Sequence, residues 1–298
     1  MLSIKSLRIR FNQWMYRISA ERMLSSVPTL RASAGEGSEE IQVPEGLEWT
    51  TMNVDGVRCE WMTPPNAPKN AALLYYHGGG GVLGLYKLSR NMPGHISLRC
   101  NLRTFLPDYR LAPEHPYPAG LDDCVTAYRW LLAKGFPAKR IVMAGDSMGG
   151  DLVICTLLRL RDAGVPLPAA AVCVSPNTDP TCSGRSMRTN AWRDAVLSPK
   201  FARTMMSLYV GGHALDDPYL APLKADLRSL PPMLIQAGAW EILLDDSKRF
   251  SERARAAGVD LKLEIWPNMW HDWHWSAPDL TEANLAIDRI AEYVHHHI

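Results

Sequence analysis

Short apolar runs alternate with helix-length amphipathic stretches that stop at glycine, and that rhythm leaves few folds open to this chain. Ala71 to Tyr76, Arg103 to Pro107, Arg140 to Ala144, Ala169 to Val174, Met233 to Ala237 and Leu261 to Trp266 read as strands. Ala119 to Lys134, Met148 to Ala163, Ile242 to Ala257 and Leu280 to Val294 read as helices, the first three ending at Gly135, Gly164 and Gly258. Val57 to Met62 reads as an earlier strand, closed by the proline-rich turn 64–68. Alternation of this kind predicts an α/β fold, a parallel sheet with helices on both faces. With 298 residues, 47% of them hydrophobic, the chain can bury such a core without covalent staples.

Two pieces break the rhythm. Residues 1–45 read as a helix and then a loop, with Ser33 to Glu40 as a polar, glycine-containing mobile connection. Residues 179–226 hold no strand and one helix-like part, Pro199 to Tyr209. Insertions between sheet elements often cover a site, so both are expected to form a cap over one domain spanning 46–298. In the first piece Ile4, Leu7, Phe11, Trp14 and Ile18 recur at helical spacing, with Lys5, Arg8, Arg10, Arg17 and Arg22 among them. Such a helix either packs over the body of the protein or makes weak contact with a membrane surface.

The formal net charge of +1 gives no reason to expect a nucleic-acid partner. No run of about 18 uncharged apolar residues exists to cross a membrane, and the basic N-terminus lacks the apolar core of a secretory signal. The six cysteines are scattered, without a Cys-x-x-Cys pair, and several fall inside apolar runs. Reduced thiols and a cytoplasmic location are the expectation. No His-Glu-x-x-His or clustered cysteine set suggests a metal, and no Gly-x-Gly-x-x-Gly occurs in a dinucleotide context, so no cofactor is expected. The terminal His295, His296 and His297 read as a cationic helix end.

Chemistry concentrates in two glycine-rich turns. His77-Gly78-Gly79-Gly80 follows one strand, and Gly145-Asp146-Ser147-Met148-Gly149-Gly150 follows another and opens a helix. A serine hydroxyl is a poor nucleophile near neutrality and needs a positioned base. A tight strand-to-helix turn exposes it, and backbone N–H groups must face the oxyanion that forms. Ser147 is the expected nucleophile, and Gly79, Gly80 and the Met148 N–H are the expected oxyanion donors. His271, first after the last strand and its Pro267 turn, is the expected general base, with His274 as its competitor. Three carboxylates follow the strand Met233 to Ala237: Glu241, Asp245 and Asp246. Glu241 comes first past the strand end and is preferred. The other two fall inside the next helix, where an acidic first turn complements the helix dipole. The order serine, acid, histidine is the one an α/β-hydrolase requires. No lysine has a serine three residues before it, which removes a Ser-x-x-Lys nucleophile.

These residues resemble the bacterial hormone-sensitive-lipase-like (family IV) carboxylesterases of the α/β-hydrolase superfamily. The resemblance rests on His77 to Gly80, on the run Asp108-Tyr109-Arg110-Leu111-Ala112-Pro113-Glu114-His115-Pro116-Tyr117-Pro118-Ala119, on Gly145 to Gly150, and on the acid and histidine regions. It runs from about residue 70 to the C-terminus. It implies hydrolysis of carboxylic esters of short to medium acyl chains, an eight-stranded mostly parallel sheet, a helical cap and a homodimer. It carries the triad to Ser147, Glu241 and His271. Two positions depart from the usual pattern: Met148, where alanine is common, and Glu241, where aspartate is more often found. Trp192, Trp270, Trp273 and Trp275 either line a substrate pocket or are ordinary packing residues; no substrate-binding residue is assigned. The alternatives are a lactone hydrolase of the monoterpene-lactone type using the same triad, and a non-catalytic small-molecule-binding module on the same fold.

Overall fold

The computed structural model describes residues 3–38 and 44–298. Two helices come first, α1 (Ile4–Arg22) and α2 (Val27–Ser38). Then follow β1 (Glu48–Val54), β2 (Val57–Thr63), β3 (Ala72–Tyr76), α3 (Lys87–Cys100), β4 (Arg103–Pro107), α4 (Ala119–Ala133), β5 (Ile141–Asp146), α5 (Met148–Asp162) and β6 (Ala170–Val174). The short α6 (Ser186–Thr189) and α7 (Pro199–Val210) precede β7 (Met233–Gly238), α8 (Leu244–Ala256), β8 (Leu261–Trp266) and α9 (Thr281–His297).

The eight strands form one sheet in the order β1-β2-β4-β3-β5-β6-β7-β8. β1 pairs antiparallel with β2, and β2 antiparallel with β4; every other pairing is parallel. Alternate side chains of the central strands enter two separate cores. Leu74, Tyr76 and Met143 face one cluster with residues of α4, α5 and α8. Leu73, Tyr75 and Val142 face the other, shared with α3 and α9. That is the period of two expected of strands buried on both faces.

The structure differs from the sequence reading in four places. Ser33–Ser38, expected as a mobile connection, is the second half of α2; Glu39 and Glu40 lie outside the described residues. β1 has no counterpart in the reading, because four of its first residues are exposed and it shows no apolar alternation. α3 was equally hidden: it carries Pro93 and buries Asn91, Gly94 and Ser97 among its apolar contacts, so its pattern is not amphipathic. The segment 179–226 holds α6 as well as the expected α7.

All the parallel strands point their C-terminal ends to one edge, and the catalytic candidates lie in the loops at that edge. α1 meets the segment before α7 through Arg17, whose guanidinium donates to the carbonyls of Ala191 and Asp194. Arg10 donates to Arg193 O at 3.0 Å and lies 4.5 Å over the Trp240 ring.

Candidate active site

β5 ends at Asp146 and α5 begins at Met148, so Ser147 takes the whole reversal of direction. Its φ is 53° and ψ −118°, a conformation that non-glycine residues rarely adopt. Its N–H is fixed to Val174 O at 2.8 Å, which ties the turn to the neighbouring strand β6. The turn can be this tight because Gly149 lies against β3: a Cβ there would come 2.0 Å from Tyr76 O. Among the described residues no side chain is hydrogen-bonded to the Ser147 hydroxyl.

The glycine loop begins where β3 ends. Asp146 holds it to the serine turn, its carboxylate accepting from Gly78 N–H at 3.1 Å and from the Tyr75 hydroxyl at 2.7 Å. Gly80 has φ +65°, and a Cβ on it would meet Met205 Cβ of α7 at 2.7 Å, so the loop needs glycine both for its conformation and for the approach of α7. The run after β4 supports the same loop. Tyr109 stacks on the His77 ring at 4.3 Å and donates to His77 O at 2.7 Å, Ala112 N–H donates to Gly81 O at 2.8 Å, and Arg110 forks onto Asp123. Met148 is fully buried and its side chain joins the hydrophobic core.

Glu241 and His271 come together across the ends of β7 and β8. Both are buried, with Glu241 Oε2 3.7 Å from His271 Nδ1, an ion-pair contact longer than a hydrogen bond. The same Oε2 accepts from the Ser175 hydroxyl at 2.6 Å. Asp245 and Asp246 do not reach the imidazole. Asp245 accepts from Ser186 N–H at 2.9 Å, and Asp246 from the N–H groups of Thr178 and Asp179. His274, three residues on, is bonded at Nε2 to the Gln236 side chain at 2.8 Å and lies against the Trp273 ring, tilted, at 4.0 Å. Burial, helped by the charge of His271, pulls its pKa down to about 3. It is a core histidine held through Nε2, with no partner for Nδ1 among the described residues.

Burial also pulls His271 down, but the carboxylates of Asp272 and then Glu241 outweigh it and hold the imidazole well above the ordinary histidine value. Burial pushes Glu241 up to about 7 against the pull of His271 and Ser175. Asp146 is pushed up to about 7 by burial and by the charge of Asp272, against the Tyr75 hydrogen bond.

Three contributors were invisible in the sequence. Ser175, at φ 45°, joins the acid to the histidine loop, its hydroxyl also accepting from Asp272 N–H at 3.4 Å. Asp194, fully buried before α7, accepts from Ile242 N–H at 2.9 Å and so fixes the residue after Glu241. Asp272 places Oδ2 3.0 Å from His271 Nε2. Each is a lone polar residue in a loop, and only long-range folding gives it a partner. The tryptophans divide: Trp270 and Trp273 are core residues, Trp275 is half-buried, and Trp192 is exposed. Among the described residues no cluster of His, Cys, Asp or Glu could hold a metal ion.

A sequence-family profile described as alpha/beta hydrolase fold matches residues 73–275, from the glycine-loop strand to just past the histidine. The chain belongs to the α/β-hydrolase fold family. Within it, the chain is one of the bacterial hormone-sensitive-lipase-like esterases, an enzyme of the carboxylesterase class. An acetyl-hydrolase of Streptomyces hygroscopicus is 39% identical over 255 residues, covering 86% of this chain and 84% of its own. An esterase of Acinetobacter venetianus is 35% identical over 243 residues, covering 81% and 80%. Among solved structures, an esterase from the bacterial hormone-sensitive lipase family superposes with a TM-score of 0.90 at 40% identity, covering 96% of this chain and 98% of that one. The esterase EstE5, soaked with p-nitrophenyl butyrate, superposes with a TM-score of 0.88 at 37% identity, covering 94% and 97%. This α/β-hydrolase therefore matches those two esterases over nearly all of both chains.

Proposed function

We propose that this esterase cleaves carboxylic esters of short to medium acyl chains through an acyl-enzyme on Ser147. The observation that carries the reading is the strained turn at Ser147, bound by Asp146 to a glycine loop that only glycines can form. In the first stage His271 takes the Ser147 proton as the hydroxyl oxygen attacks the ester carbonyl. The oxyanion is held by the N–H groups of Gly79, Gly80 and Met148. The imidazolium passes its proton to the departing alcohol, and Glu241 orients the ring and stabilises its charge. In the second stage water, deprotonated by His271, releases the acid and restores the hydroxyl. The solved EstE5 soaked with p-nitrophenyl butyrate supports a butyrate ester as the first substrate to try.

Residues 1–45 together with 179–226 serve as the cap, and Met205 and Tyr209 of α7, pressed on Gly80 and Gly81, shape the space above the loop. The six buried, unpaired cysteines favour a reducing, cytoplasmic setting. β8 forms a sheet edge with Ile265 exposed, which suits a homodimer built edge to edge. The exposed row Ile4, Leu7, Phe11 and Met15 on the basic α1 suits weak contact with a membrane surface. Turnover of p-nitrophenyl butyrate by Ser147→Ala, with circular dichroism to verify folding, tests the core of the proposal. Retained turnover in a folded variant overturns it.

A further inference from the structure

The scheme above employs one carboxylate, yet three are buried close enough to His271 to act on it or on one another: Glu241, Asp272 and Asp146. Of these, Asp272 makes the shorter contact with the ring, 3.0 Å at Nε2 against 3.7 Å for Glu241 at Nδ1. Nε2 is the nitrogen that a serine hydroxyl must reach. Taking His271 as the base, we infer that Asp272 is its second acid partner, a positioning residue that pairs with the imidazolium on the Nε2 side and so decides when that nitrogen is free to take the proton of Ser147.

The surroundings of Asp272 leave its charge no other use. It is fully buried, and among the described residues neither carboxylate oxygen has a well-aligned hydrogen bond beyond the contact of Oδ2 with the His271 ring. Asp146 by contrast has Tyr75 and Gly78 to receive. An ionised carboxylate in such a place needs a cation, and the His271 ring is the one in contact. The backbone holds it there in the left-handed region, φ 50° and ψ 38°, with its N–H on Ser175 and its carbonyl accepting from Trp275 N–H at 3.0 Å. The other groups that face this pair are Glu241 from the end of β7, Asp146 and Tyr75 from β5 and β3, Asp194 from the segment before α7, Ser175 after β6, and His274 from the same loop. The charged members of that set are all acidic, so each favours the protonated ring.

The consequence has a definite sign. An opposite charge at Nε2 favours the imidazolium, which must lose its proton before Ser147 can be activated. Asp272 therefore places the acidic limb of kcat/KM at higher pH than Glu241 alone would. It also strengthens the imidazolium that later protonates the alcohol.

The test is the pH profile of kcat/KM on p-nitrophenyl butyrate for the intact chain with Asp272→Asn and, separately, Asp272→Val. The acidic limb is expected to move down by about 1–3 pH units in both, as removal of a close opposite charge does. A purely packing role would lower the plateau and leave the limb where it was; an unmoved limb in a folded variant overturns the inference. If both variants misfold, NMR titration of the His271 ring in Ser147→Ala decides, and an imidazole pKa at or below the ordinary value overturns it. His271→Ala separates this inference from the reading beneath it. Turnover surviving that change sinks the triad and the role of Asp272 together, whereas turnover lost there with an unmoved limb in Asp272→Asn sinks the role of Asp272 alone.

Discussion

On the serine side of the glycine loop, Asp146 takes the Gly78 N–H and the Tyr75 hydroxyl, so the contacts are hydrogen bonds between buried groups. On the α7 side, Met205 and Tyr209 press on Gly80 and Gly81 with carbon. Hydrogen bonds are directional and fix where the loop amides point. Dispersion contacts are not directional and fix only how much room is left. One loop thus receives its aim from the sheet and its shape from α7. Changes on the sheet side should damage turnover of every ester, and changes on the α7 side should alter which esters are preferred.

The largest expected effect is that of Ser147→Ala, which should lower kcat for any ester by about 10^4-fold or more. Single-turnover assays with a chromogenic ester check it, and a residual rate that varies strongly with acyl length would break the division between the two sides. Next comes Glu241→Ala, expected to cost about 10^4-fold in kcat. Asp245→Ala should stay within about a few-fold, because among the described residues the Asp245 carboxylate accepts only from the Ser186 N–H, a contact of about 1 kcal/mol. Parallel kinetics on the two variants check this, and the reverse ranking would move the acid to Asp245. Gly80→Ala introduces a side chain at φ +65° against Met205 and turns a loop amide away, so kcat should fall about 10^2- to 10^3-fold with all acyl lengths. The smallest effect on turnover is predicted for Met205→Ala. It should shift the preferred acyl length upward and lower stability by about 2–5 kcal/mol, as loss of a buried methionine side chain does. An acyl series from acetate to decanoate and a urea melt measure the two together. A uniform loss across the series would place Met205 on the aiming side instead.

The same contrast explains what could be read from the sequence. The inner parallel strands were legible because they are apolar on both faces, and three of the helices because glycine closes them. Ser147 and the glycine loop were legible because steric necessity leaves a mark: Gly149 under Tyr76 and Gly80 beneath Met205 tolerate no other residue. His271 and Glu241 could be placed by counting from strand ends. β1 was not legible, since an edge strand exposed over most of its length carries no burial rhythm. Nor were Ser175, Asp194 and Asp272, whose partners lie at least 48 residues away or are set by an unusual backbone turn. Polar groups announce themselves only when a motif repeats them, and these three belong to none.

The contact of Arg17 with the Asp194 carbonyl connects parts of the molecule that seem unrelated. The Asp194 carboxylate in turn restrains the amide next to Glu241. The first helix is therefore in mechanical series with Glu241, the proposed acid, like a guy-rope whose far end is anchored in the engine rather than the roof. Clipping the chain between α1 and β1 would slacken Glu241 as well as release the first helix. Damage from such a cut should appear in the chemical step itself, even with the smallest acetate ester, for which a lid matters least.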